Sequence, residues 1–304
     1  MPGPSAPENL NELDKIADEL EALSQGRLGA HSSTFRAILK DTLDKDSYLC
    51  RPLPSHVFGS DIFEGERIVQ GEMPHYGLYY GPMHYLLRRV GDRWEVEVRL
   101  ALVPPRGKGD LELPDCNLKE FLTQPMECSG VPYAQSGSID ACPGSGVFKT
   151  AFSPQSVRAL LARWSREAED YYNRDAEEFH LNVRYNFDFV MEDEALASGL
   201  RVDMSLPLSP SCGRTPYFSS FRSGWSLPIV AHEVGHFMGL LDEYEMLSGI
   251  VSFYPKTPFK GAEISRMGFS MKEHTKVLPL HHYLILRRYF CDPRRETNPY
   301  QHVP

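Results

Sequence analysis

The sequence predicts an α+β fold, with helices and strands interleaved along one chain of 304 residues. Three observations lead there. Several segments repeat apolar residues every three or four positions, as a helix with one buried face does. Others alternate apolar and polar residues, as a half-buried strand does. One helical segment carries His232-Glu233-Val234-Gly235-His236. That spacing sets two imidazoles one turn apart on the same face.

The elements follow in order. Leu10, Leu13, Ala17, Leu20 and Leu23, with Ile16, form a helical stripe that Gly26 stops. A second short helix is expected after Ser33, carrying Phe35, Ile38, Leu39 and Leu43. Trp94, Val96, Val98, Leu100 and Leu102 mark a strand, and Gly91-Asp92 is a two-residue turn back to a strand over 84–90. Pro104-Pro105 closes that unit, and 106–150 reads as a long loop. Ser153 as cap and Pro154 in the first turn open a long helix lined by Val157, Leu160, Leu161, Trp164, Ala168 and Tyr171. Alternation of Phe179, Leu181, Val183, Tyr185, Phe187 and Phe189 predicts a strand, and another is expected over 200–206. Residues 216–225, rich in Ser, Phe and Gly, are expected to form an edge strand. The helix of the two histidines is expected over 227–240 and a last helix over 279–291. On this reading residues 1–90 form an accessory or pro-like region of helices and a β-hairpin, and 91–304 form the main domain.

Composition excludes some functions. Apolar content of 41% and charged content of 24% are ordinary for a globular protein, so the chain can bury a sizeable core. A net charge of −9 leaves no basic excess to engage the phosphates of nucleic acid. No run approaches the ~18 apolar residues of a membrane span. No hydrophobic secretory segment follows Met1–Pro7. The six cysteines are Cys50, Cys116, Cys128, Cys142, Cys212 and Cys291. They lack C-x-x-C spacing, which argues against a cysteine zinc site. Three of them fall in the long loop, which a disulfide staple would order. The expectation is an oxidising, secreted or periplasmic setting, with buried free thiols in a reducing compartment as the alternative. Cys50 beside Arg51 is also a candidate plug for a catalytic metal, though a disulfide is simpler.

The chemistry concentrates at residues 232–242. His232 and His236 offer two imidazole ligands, Gly239 lets the chain leave the helix in the left-handed conformation, and Asp242 can return as the third ligand. Catalytic zinc keeps three protein ligands and one open position. Glu233 lies beside the histidine face, where it can accept the proton of a water held at the metal and pass it to a leaving amine. Two neutral imidazoles and a carboxylate leave the site at formal charge +1, which acidifies water less than three histidines do and puts more weight on Glu233. Glu243 competes as a ligand. His274, His281 and His282 are within sequence reach of a fourth position, although His281 and His282 are expected to sit partly exposed near a helix start. The plain alternative is a helix with two core histidines. Residues 216–225 either accept an extended peptide by strand addition or merely connect two elements.

The order long helix, strands, H-E-x-x-H helix, turn, methionine and final helix resembles the metzincin clan of zinc metallopeptidases. The clan signature H-E-x-x-H-x-x-G-x-x-H or D is matched at His232, Glu233, His236, Gly239 and Asp242. Aspartate as third ligand occurs in snapalysin-like enzymes, and Asp242-Glu243-Tyr244 is similar to the D-E-Y of bacterial IgA-peptidase-like enzymes. The likeness is specific over the motif, architectural over 145–292, and silent on 1–90. It implies a twisted mixed sheet, an active-site helix, a Met-turn supporting the metal floor and a C-terminal helix. Met267 in Ser265-Arg266-Met267-Gly268 is the expected Met-turn residue, with Met271 its rival. Phe269 stands where some members carry a switchable tyrosine, and Tyr244 and Tyr283 are the remaining tyrosine candidates for an oxyanion. The implied activity is that of a zinc-dependent endopeptidase acting on protein or peptide. Two alternatives stay open: a catalytically idle zinc-containing binding or effector module, and a hydrolase of a non-protein amide such as a cell-wall cross-link.

Overall fold

Two N-terminal helices, α1 (Ala6–Leu23) and α2 (Ser32–Asp44), bury the expected stripes, Leu13, Ile16 and Leu20 on one and Phe35, Ile38, Leu39 and Leu43 on the other. Gly26, at φ +73°, makes the reversal between them, a backbone angle that a Cβ resists. The computed structural model describes residues 6–44, 51–60, 64–75, 79–104, 154–209, 217–223, 225–243, 262–268 and 273–290. The long loop expected at 106–150, all six cysteines, Tyr244, Phe269 and Met271 lie outside the described residues. A short helix, α3 (Pro54–Val57), follows, and both α1 and α3 pack against the last helix of the chain.

Among the described residues the sheet has six strands and is mixed, consistent with an α+β class. The first, β1 (Gly65–His75), pairs antiparallel with β2 (Tyr79–Val90), from Gly65↔Arg89 to His75↔Tyr79. The turn Gly91-Asp92 then returns β2 into β3 (Arg93–Val103), with Val90 opposite Arg93 and Gly91 at φ +59°. These pairings carry the sheet across position 90 without a break. The helix α4 (Pro154–Glu178) crosses to β4 (Val183–Met191), which runs parallel to β3 from Trp94↔Val183 to Leu102↔Met191. A short helix α5 (Glu192–Ser198) leads to β5 (Met204–Ser209), parallel to the end of β3. Because β4 occupies one whole edge of β3, β2 and β5 share the other edge. The two-residue β6 (Phe221–Arg222) pairs with β5 and ends the sheet, where an edge strand was expected.

Two expected strand starts shift. The alternation from Phe179 belongs partly to a helix end: Leu181 N donates to Ala176 O at 2.9 Å, His180 takes φ +56°, and the strand begins at Val183. Phe179 and Leu181 are apolar because that end is buried. In the second case Asp203 N donates to Arg99 O and Asp203 Oδ2 accepts from Arg99 N, so the ladder starts at Met204 instead of near 200.

One apolar core joins helices and sheet. Val183, Tyr185, Phe187, Phe189 and Met191 point inward from β4 and meet Val157, Leu161, Trp164, Ala168 and Tyr172 of α4. Trp164 lies edge-on to Phe189 at 6.1 Å, and Tyr172 packs between Tyr185 at 4.9 Å and Phe187 at 5.1 Å. Against α4 lies α6 (Leu227–Phe237), buried on all sides from Pro228 to Phe237. The last helix, α7 (Pro279–Leu286), is also buried all round and continues as a 3-10 turn over Arg287–Phe290.

Candidate metal centre

The helix α6 begins with Ser226 in extended conformation and Pro228 in its first turn, a start that needs no N–H from proline. It ends at Phe237, earlier than the expected 240, because Gly239 at φ +85° closes a Schellman turn. Gly239 N donates to His236 O at 2.9 Å and Leu240 N to Gly235 O at 3.0 Å. That turn brings Asp242 back beneath the helix. Asp242 Oδ1 lies 3.0 Å from His232 Nε2 and 3.3 Å from His236 Nε2, and the two Nε2 atoms are 3.2 Å apart. All three side chains are buried. Among the described residues, these three form the group whose ligand atoms could hold a metal ion.

The histidine protons show which atoms face the centre. His232 Nδ1 lies 2.9 Å from Arg266 O, and His236 Nδ1 lies 2.8 Å from Leu240 O. A carbonyl can only accept, so each Nδ1 carries a proton and each Nε2 turns a lone pair inward. Two lone pairs and a carboxylate therefore converge at a buried point. Neither oxygen of Asp242 has an aligned hydrogen-bond donor, although Oδ1 is within ion-pair range of both rings. The close contacts are thus a convergence of acceptors, which a cation satisfies. Tetrahedral zinc with bonds of about 2.0–2.1 Å separates its ligand atoms by about 3.3 Å, close to the three separations seen here.

The electrostatics agree. Burial alone would depress His236, but the charge of Asp242, with the charge of Glu233 and the hydrogen bond to the Leu240 carbonyl, outweighs it and pushes the imidazole up to about 9. Burial alone would raise Asp242, yet the two imidazoles hold it well below the usual carboxylate range. The pocket demands positive charge, from a proton or from a metal ion. Glu233 follows His232 on the helix, is nearly buried, and its charge is felt at His236.

Beneath the helix sits Met267, fully buried. A Cβ at Gly235 would come within 2.8 Å of Met267 Sδ and 2.7 Å of Tyr172 Oη, so this position needs glycine for closeness of approach. The turn bearing Met267 is held by Arg266 N donating to Lys276 O at 2.7 Å and Lys276 N to Ile264 O at 2.7 Å. Arg266 is buried beside it, with its guanidinium 4.1 Å from the Tyr171 ring centre and Nη2 donating to Thr275 O.

Other candidates fall elsewhere. Glu243 does not join the metal group: it accepts from Ser265 Oγ and, at 2.8 Å, from His281 Nε2. His281 and His282 stand at the start of α7, but they are buried rather than partly exposed, because that helix is enclosed on every side. His282 Nδ1 pairs with Tyr185 Oη at 2.6 Å and Nε2 with Val277 O at 3.2 Å. His274 is exposed. Tyr283 Oη donates to Pro52 O at 2.8 Å. Sequence reasoning missed Tyr217, which stacks on His236 with ring centres 4.9 Å apart and donates its hydroxyl to Pro82 O at 2.8 Å. Only its place in the 216–225 segment hinted at it.

Comparison with known proteins finds no matching family model, no similar curated protein and no similar solved structure.

Proposed function

We propose that the protein is a zinc-dependent metalloendopeptidase of metzincin type. The observation that carries this reading is the buried convergence of His232 Nε2, His236 Nε2 and Asp242 Oδ1, with Glu233 on the same helix. A zinc ion held by these three side chains would supply the acidity that turns water into a nucleophile and the charge that polarises a carbonyl. His232 and His236 orient their lone pairs through the Arg266 and Leu240 carbonyls. Asp242 neutralises part of the ionic charge. Glu233 takes the proton of the attacking water and later delivers it to the leaving amine. Met267 and Gly235 set the floor, in keeping with a Met-turn. A protein or peptide substrate in a secreted or periplasmic setting is part of the same proposal. No helix among the described residues is long and apolar enough to cross a membrane.

The burial of all three ligands also suits an idle module that holds its ion for structure alone. The two readings part at Glu233, since a purely structural ion has no use for a base beside it. The deciding experiment is hydrolysis of unfolded casein by zinc-loaded wild type and Glu233→Ala, with and without chelator. The peptidase reading expects activity in wild type alone, lost on chelation. Equal, chelator-insensitive background in both proteins rejects it.

A further inference from the structure

Asp242 is the weakest-anchored member of the metal group by its own contacts, since neither of its oxygens has an aligned donor. Its neighbour is held firmly. Glu243 N donates to Met267 O at 2.9 Å, fixing the main chain just after the ligand. The Glu243 carboxylate accepts from Ser265 Oγ through Oε2 and from His281 Nε2 through Oε1 at 2.8 Å. Leu278 N donates to His281 Nδ1 at 2.8 Å, so the imidazole proton sits on Nε2 and points at Glu243. Ser265 Oγ also accepts from Met267 N at 3.0 Å. Between Ser265 and Met267 lies Arg266, whose carbonyl orients His232. The contacts therefore close a ring: from Asp242 through Glu243 to Ser265 and Met267, through Arg266 to His232, and across the metal position back to Asp242. Glu243, Ser265 and His281 are all buried, so water does not compete for these bonds.

We infer that Glu243, Ser265 and His281 are positioning residues for the metal centre: a Ser–Glu–His bridge that sets the distance between the third ligand and the first. The inference rests on the metal-centre reading and adds to it the way α7, remote in sequence, governs the third ligand. A bridge whose only task was to hold α7 in place would need no bond to the residue after a ligand and none to the turn that orients another. The role of each member follows from its atoms. His281 supplies a donor whose direction is set by the Leu278 amide. Ser265 passes one bond on to the Met267 amide. Glu243 joins both to the main chain of Asp242. Losing supports of this kind typically costs about 10–100-fold in metal affinity.

The test measures Zn²⁺ affinity by competition with a chromophoric chelator and the absorption spectrum of the Co²⁺ form. The proteins compared are wild type, Ser265→Ala, His281→Phe, His281→Gln and, as control, Asp242→Ala. Melting of each metal-free protein is recorded alongside. Ser265→Ala and His281→Phe are expected to bind about 10–100-fold more weakly with an altered Co²⁺ spectrum. His281→Gln, which keeps an N–H for Glu243, is expected to recover most of the affinity. Lower melting temperatures with wild-type affinity and spectrum would make the bridge merely structural and overturn the inference. Should His281→Phe fail to fold, Ser265→Ala decides, because it removes only a hydroxyl. A wild type that binds no metal would sink the metal-centre reading itself. A wild type that binds as Ser265→Ala does, while Asp242→Ala fails, would sink only the bridge.

Discussion

Replacing Gly239 by alanine tests whether the Schellman turn is what delivers Asp242 to the histidines. Gly239 has φ +85°, and a Cβ there would come within 2.6 Å of Met83 Sδ, itself buried. Two costs follow. An alanine in the left-handed region loses about 1–2 kcal/mol. Forcing a methyl into a packed site loses about 1–3 kcal/mol more. The variant is therefore expected to be destabilised by about 2–5 kcal/mol, and to bind metal less tightly because residues 240–242 are displaced. Urea unfolding of the metal-free protein measures the first effect free of linkage to the ion, and chelator competition measures the second. Trimming the opposing side chain separates the terms. In a cycle with Met83→Ala the steric part should couple, while the backbone part should remain in the double variant. A Gly239→Ala protein within about 0.5 kcal/mol of wild type, with unchanged metal affinity, would show that the turn does not deliver Asp242, since changes that small are what ordinary surface substitutions give.

Further predictions follow from other parts of the molecule. Burial pushes His282 down to about 3, so it folds in its neutral form. The unfolded chain takes up this proton near pH 6.5, so the contribution of neutral His282 is complete above that pH and is lost as pH falls toward 3, at about 1 kcal/mol per pH unit. Urea midpoints between pH 7 and pH 4 should therefore fall less steeply in His282→Asn than in wild type, and parallel slopes would contradict the assignment. Trp164 is fully buried between Phe189 and Phe221. Trp164→Ala should cost about 3–5 kcal/mol in the same assay, and a loss under about 1 kcal/mol would mean that α4 does not pack on β4 as described.

What the sequence disclosed and what it hid have physical causes. The strand β3 was legible because Trp94 to Leu102 buries one face and carries charge on the other. The hairpin into it was legible because Gly91-Asp92 fits a two-residue turn. The α6 ligands were legible because helical spacing alone places His232 beside His236, and Gly239 marks where the chain turns back. The strand β1 was not foreseen: Ile68 is exposed while adjacent Val69 is buried, and Gly71 and Pro74 interrupt the pattern, as an edge strand tolerates. Periodicity also could not show that α7 is enclosed all round, so His281 and His282 were expected nearer the surface. The pairing of Glu243 with His281 joins residues far apart in the chain, and stacking of Tyr217 on His236 depends on the sheet edge lying beside α6. Neither contact leaves a local signature.

On the proposed reading, two imidazoles and a carboxylate grip one divalent cation. An anomalous-scattering map of crystals grown with zinc tests it most directly. A single strong peak is expected among His232 Nε2, His236 Nε2 and Asp242 Oδ1, with no protein side chain at the fourth position. No peak there at saturating zinc, or a peak held by a different set of side chains, would contradict it.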